Sequence, residues 1–95
     1  MARKGSWDLT GIAISTLIVP ADEYREDLFI QHSIDSSTQM ALGIGEPAVA
    51  GKGAQLFTPG SVMTIHGADA RKAIYGLGNG GKGFWQQGEL IAYTY

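Results

Sequence analysis

Between Arg25 and Ile65 the chain reads REDLFIQH, then TQMALGIGEPAVAGKG, then QLFTPGSVMTI. Short runs in which apolar residues alternate with polar or small ones are separated by Gly, Pro and Ser. No helical repeat interrupts them. A segment of this kind buries one face of each strand and turns back every ten residues or so, which is the pattern of a compact antiparallel sandwich or barrel. The fold expected is all-β, a single antiparallel β-sandwich or barrel, with six to eight short strands and essentially no helix.

The alternation also assigns faces. Leu28 and Ile30 point to the core, which leaves Phe29, a large apolar side chain, on the outside. Met40, Leu42 and Ile44 continue the two-residue period, with Ala41, Gly43 and Gly45 on the opposite side; small residues along a whole face predict close approach of another element or subunit. Met63 and Ile65 point one way, Thr64 and His66 the other. Pro59-Gly60 predicts a tight turn with Gly60 at positive φ. The β-branched stretch Gly11 to Val19 predicts a strand stopped by Pro20. Lys72 to Leu77 and Phe84 to Tyr93 predict two more strands, with the run Gly78 to Gly81 closing a hairpin between them. Residues 1–8 mix charge, Gly and Ser around Trp7 and are expected to form an N-terminal arm, leaving 9–95 as the sandwich domain.

At 95 residues one core is expected, and without cysteine neither disulfides nor thiolate-held zinc can supplement it. Self-association is then the general remaining route to extra stability. A net charge of −2 with 17% charged residues, alternating in sign, gives no basic surface for nucleic acid. The apolar run Ile12 to Val19 is shorter than the roughly 20 residues that cross a bilayer, so no membrane partner is expected. Asp8 before that run, and Pro20, Asp22 and Glu23 after it, argue against a secretory leader. The expectation is a chain made in the cytoplasm.

Catalytic patterns are sought without success. The glycines of 76–83 lack the following helix that a phosphate-cradling loop needs, since Lys82 leads into Gly83 and a strand. His32 and His66 each end a strand and lack the closely spaced pair of metal-binding cupins, so no metal or cofactor is expected. No strained Gly-x-Ser-x-Gly elbow is present. The paired acids Asp22-Glu23 and Glu26-Asp27 sit on one turn and one strand start, not across a sugar from each other. No enzyme activity is expected and no catalytic residue is assigned. The candidate interface residues are instead Arg3 and Lys4 in the arm together with Trp7, Phe29, Phe84 and Trp85, because aromatics dominate recognition surfaces. Phe84 and Trp85 occupy opposite faces of one strand, so at least one of them must lie away from its core.

The order Arg25, Leu28, Ile30, Gln31, then Leu42, Ile44, Gly45, Glu46, Pro47, Ala48, then Leu56, Pro59, Gly60, Ser61, Ile65, and finally Ala70, Arg71, Ala73, Ile74, Tyr75 resembles the small β-sandwich virion decoration or cement proteins of tailed bacteriophages. The resemblance covers residues 24 to 92, and the stretch before Ala21 lies outside it. It implies a jelly-roll-like sandwich and a non-enzymatic protein on the outer capsid surface of the virion that clamps the major capsid protein, commonly as a trimer. The alternative is a carbohydrate- or host-receptor-binding β-module of a head fibre or adhesion tip.

Overall fold

The computed structural model describes residues 4–36, 38–49 and 55–87. Eight strands are formed among them: β1 (Lys4–Asp8), β2 (Thr16–Val19), β3 (Asp27–His32), β4 (Met40–Ile44), β5 (Gln55–Phe57), β6 (Val62–His66), β7 (Ile74–Leu77) and β8 (Lys82–Gln87). A 3-10 turn, Gly67–Arg71, leads from β6 toward β7.

The strands make two four-stranded antiparallel sheets, ordered β1-β8-β3-β6 and β2-β7-β4-β5. The pairs β1–β8, β2–β7, β3–β6 and β4–β5 nest around the β4–β5 hairpin, as though one long hairpin had been rolled up. That is the jelly-roll order, with two packed sheets and chain crossing between them at almost every connection. The expected all-β sandwich of jelly-roll type is therefore the fold.

Alternation places the core where the sequence put it. Leu28, Ile30, Met40, Leu42, Ile65 and Ile74 fill the space between the sheets, joined by Ile18 and Val19. Trp7 and Leu9 belong to the same cluster, and this overturns the arm. Lys4–Asp8 pairs along its whole length with β8, from Lys4 opposite Gln86 to Asp8 opposite Lys82. Trp7 is 8% exposed and donates its Nε1–H to the Met40 sulfur at 3.3 Å. Gly83 faces it, and a Cβ there would collide with the Trp7 ring. Room for an indole, not hydrophobic patterning, brings this polar stretch into the sheet. Arg3 lies outside the described residues.

Three further expectations change. The strand foreseen from Gly11 begins only at Thr16, because local turn chemistry takes over the preceding residues. The Asp8 carboxylate accepts the Thr10 N–H at 2.9 Å and its hydroxyl at 2.6 Å, and Gly11 has φ +80° with its N–H on Asn79 Oδ1 at 2.7 Å. Gly78 to Gly81 is not a hairpin: it carries the chain from β7 in one sheet to β8 in the other, tied down by Leu9 N–H to Gly81 O and Gly80 N–H to Leu9 O. The last strand starts at Lys82, and its expected continuation through residues 88–93 lies outside the described residues.

On the small-residue side of β4 the chain's own segment Glu46-Pro47 approaches Gly43, where a Cβ would clash with it, and the Lys72 side chain approaches Gly45. Ala48 N–H, bound to Ser15 Oγ at 2.9 Å, holds that segment down. The close approach foreseen there comes from an element of the same chain.

Thr58 to Ser61 is the tight turn foreseen at Pro59-Gly60. Ser61 N–H reaches Thr58 O at 3.0 Å and Gly60 has φ +84°, the geometry of a type II turn. A Cβ on Gly60 would meet nothing within 4 Å. Any cost of substitution there is therefore backbone strain alone. Gly60→Val is expected to lose about 1 kcal/mol or more, hence roughly 4–8 °C of Tm. A melting curve that superimposes on that of the parent protein would contradict this.

Candidate functional site

The antiparallel register fixes what the outer face of the β1-β8-β3-β6 sheet presents. Phe84 lies between Ser6 and Gln31, and Gln31 is followed by Val62 on β6. In the next row Lys4, Gln86, Phe29 and Thr64 lie side by side. Phe29 and Phe84 are thus diagonal neighbours, about 7–8 Å apart at the backbone and within reach of each other's rings. Phe84 is 54% and Val62 57% exposed, while Phe29 is half-buried among its neighbours. A cleft of about 280 Å³ on this sheet is lined by Lys4, Gly5, Phe29, Gln31, Phe84, Trp85 and Gln86.

Charge is confined to the rim of this face. Asp8 and Lys82 are cross-strand partners at one end, where the hydroxyl and N–H of Thr10 hold the Asp8 carboxyl below the usual carboxylate range and Lys82 adds to the shift. At the other end His66 Nδ1 meets Asp27 Oδ1 at 2.5 Å. The centre offers two aromatic rings, an aliphatic side chain and the carboxamides of Gln31 and Gln86. Such a surface can stack on an apolar or sugar face and exchange neutral hydrogen bonds.

Elsewhere the polar residues serve the fold. His32 Nε2 and Ser36 Oγ are 2.7 Å apart, the spacing of a nucleophile and its base. Both side chains are buried, and the Ser36 hydroxyl also accepts Lys82 N–H at 3.0 Å and lies 3.3 Å from Gly80 O. This pair ties the β3–β4 loop to the start of β8. No group of three or more His, Asp or Glu side chains able to hold a metal occurs among the described residues.

A second cleft, about 370 Å³, lies along Pro20 to Arg25 and touches Trp85 and Gln87. Arg25 lines it and is itself only 2% exposed. Arg25 donates from Nε to Ala70 O, from Nη1 to Pro20 O at 3.1 Å and from Nη2 to Lys72 O at 3.1 Å, and stacks 5.9 Å from the centre of the Trp85 ring. Burial pulls its pKa down, and Asp22 acts in the other direction.

Of the residues singled out from the sequence, Lys4, Phe29 and Phe84 are brought together on one face. Trp7 and Trp85 are buried side chains that point inward, Trp85 beneath Arg25 and opposite Ile30, where it borders both clefts. Gln31, Gln86 and Val62 were missed. The first two stand two residues beyond Phe29 and Phe84 and so share their face by alternation alone; Val62 joins them only through the β3–β6 register.

Comparison with family models, curated proteins and solved structures finds no match. The fold and the site define the class as a small jelly-roll sandwich with an aromatic and carboxamide patch on one sheet.

Proposed function

We propose that this protein is a non-enzymatic virion structural module that decorates a bacteriophage head, seated on the outer surface of the major capsid protein through the β1-β8-β3-β6 face. One observation carries the reading: Phe84, with Phe29 and Val62 around Gln31, stands exposed at the middle of a rigid four-stranded sheet. An aromatic anchor surrounded by neutral polar groups, with charge at the rim, is the anatomy of a recognition surface. The resemblance over residues 24 to 92 supplies the capsid as partner, and jelly rolls are a recurrent fold of virion and lectin domains. Fold alone does not assign function, so the site must carry the test.

Phe84→Ser leaves the core untouched, because the ring points outward. It is expected to weaken binding to expanded heads by about 30-fold, the effect of a hot spot worth about 2 kcal/mol. Co-sedimentation of the full chain with heads built from its own capsid subunit reads the occupancy; equal occupancy of parent and variant at subsaturating protein would refute the assignment of this face.

The carboxamides of Gln31 and Gln86 beside the two rings favour a second reading, a saccharide ligand in the 280 Å³ cleft. The same two proteins applied to a glycan array separate the readings. A glycan bound by the parent and lost with Phe84→Ser, with no head binding by either, selects the saccharide.

A further inference from the structure

Four strand edges bound the two sheets, and three of them are blunted. β1 carries Lys4 and Asp8 at its ends with Gly5 between. β2 is four residues long, breaks register between Leu17 and Val19 and runs into Pro20. β5 has only three residues. Charges, bulges and shortness are the devices that keep sheet edges from pairing with other chains. β6 has none of them: Val62-Met63-Thr64-Ile65-His66 pairs with β3 over five successive positions without a break, holds no Lys, Arg, Asp, Glu or Pro, and has no second strand neighbour among the described residues.

The hydrogen bonds fix which backbone groups face outward. His32 N–H binds Ser61 O at 2.9 Å, Gly60 N–H binds His32 O at 2.9 Å, and Gly67 N–H binds Glu26 O at 3.0 Å. In an antiparallel ladder the bonded residues alternate, so Ser61, Met63, Ile65 and Gly67 turn their N–H and C=O toward β3. The N–H and C=O of Val62, Thr64 and His66 therefore point to the open edge. A strand whose outward groups fall at three alternate positions is complementary to its own antiparallel copy, with the centre at Thr64.

We propose that β6 pairs with β6 of a second copy of this chain about a two-fold axis through Thr64, making one continuous eight-stranded outer sheet. Thr64 meets Thr64 of the other copy, and Val62 meets His66 in both directions, each pair exchanging both backbone bonds. No like charges are opposed, and a Thr–Thr cross-strand pair is favourable. The contact is isologous and closes at two, since the remaining edges are blunted. The assembly differs from the trimer that the resemblance implies. It also places two Phe29–Phe84 patches side by side on one surface, so that a repeating partner engages both.

Thr64→Pro removes an outward N–H and leaves the bonds to β3 in place, a position where sheets accept proline. Thr64→Lys sets two cations face to face on the axis, and Thr64→Glu two anions. Light scattering and sedimentation of the full chain are expected to give twice the 10.1 kDa of one chain for the parent. One chain mass is expected for each variant alone, with unchanged circular dichroism, and twice that mass again when the Lys and Glu variants are mixed. A monomeric parent, a trimeric parent, or any folded single variant that keeps the dimer mass overturns the proposal. The charge pair keeps the test open if the proline variant does not fold.

Discussion

Trp7→Ala is expected to destabilise the protein by about 3–5 kcal/mol, the cost of emptying a large aromatic site in a packed core. A domain of this size has about 5–15 kcal/mol in total, so the loss is about a fifth or more of its stability and lowers Tm by about 12 °C or more. The reason is the position of the indole. It is almost fully buried, its N–H is taken by the Met40 sulfur, and it occupies the space that Gly83 leaves open on the neighbouring strand. Its removal detaches β1 from β8 and leaves a cavity that a polar five-residue strand cannot collapse to fill. Trp7→Phe keeps most of the apolar area and is expected to cost much less. Urea unfolding of the three proteins measures both values, and a Trp7→Ala variant with the parent midpoint would return the residue to a detached arm.

Arg25→Met is the second large effect, with an expected loss of about 3 kcal/mol. Exchanging a buried ion for a hydrophobic residue of similar volume can be neutral where its partner is exchanged too. Here the partners are the backbone carbonyls of Pro20, Ala70 and Lys72, which no substitution removes. Each loses a charge-assisted bond normally worth about 1.5–3 kcal/mol, offset in part by no longer desolvating a cation. The three carbonyls come from the end of β2, the 3-10 turn and the approach to β7, so the clamp closes one end of the sandwich. Arg25→Lys is expected to be nearly as damaging, because a single ammonium cannot reach in three directions at once. Thermal melts read the effect; a Lys variant as stable as the parent would mean that charge alone, not the planar fork, holds the corner.

Neither Trp7 nor Arg25 could be found from the sequence as a core residue, whereas part of the outer patch could. Phe29 was legible as an outward side chain, since it sits out of phase with the apolar residues around it; for Phe84 and Trp85 alternation established only that at least one of the two lies away from the core. Gln31 and Gln86 follow from the same parity. Trp7 was not legible as core: Lys4-Gly5-Ser6-Trp7-Asp8 has no apolar alternation, and its strand exists because Lys4 finds Gln86 at the far end of the chain. Arg25 lies in an acidic turn that reads as a solvated edge. Nothing local distinguishes it from Arg71, which is exposed and only 4.0 Å from Glu26.

What the sequence by itself determined was local: the all-β class, the faces of β3, β4 and β6, the type II turn at Pro59-Gly60, and the core positions Leu28, Ile30, Met40 and Leu42. These follow from side-chain alternation and from backbone preferences, which act over a few residues. The tertiary structure alone decided which strand lies beside which: the nesting of β1–β8 around β2–β7 and β3–β6, the crossing at Gly78 to Gly81 where a hairpin was expected, and the edges left open or blunted. Strand pairing joins backbone groups that are alike in every residue, so partner and register are chosen by the packing of the whole core. The inward turn of Trp7, the burial of Arg25 and the edge of β6, without a second strand neighbour among the described residues, are consequences of that choice.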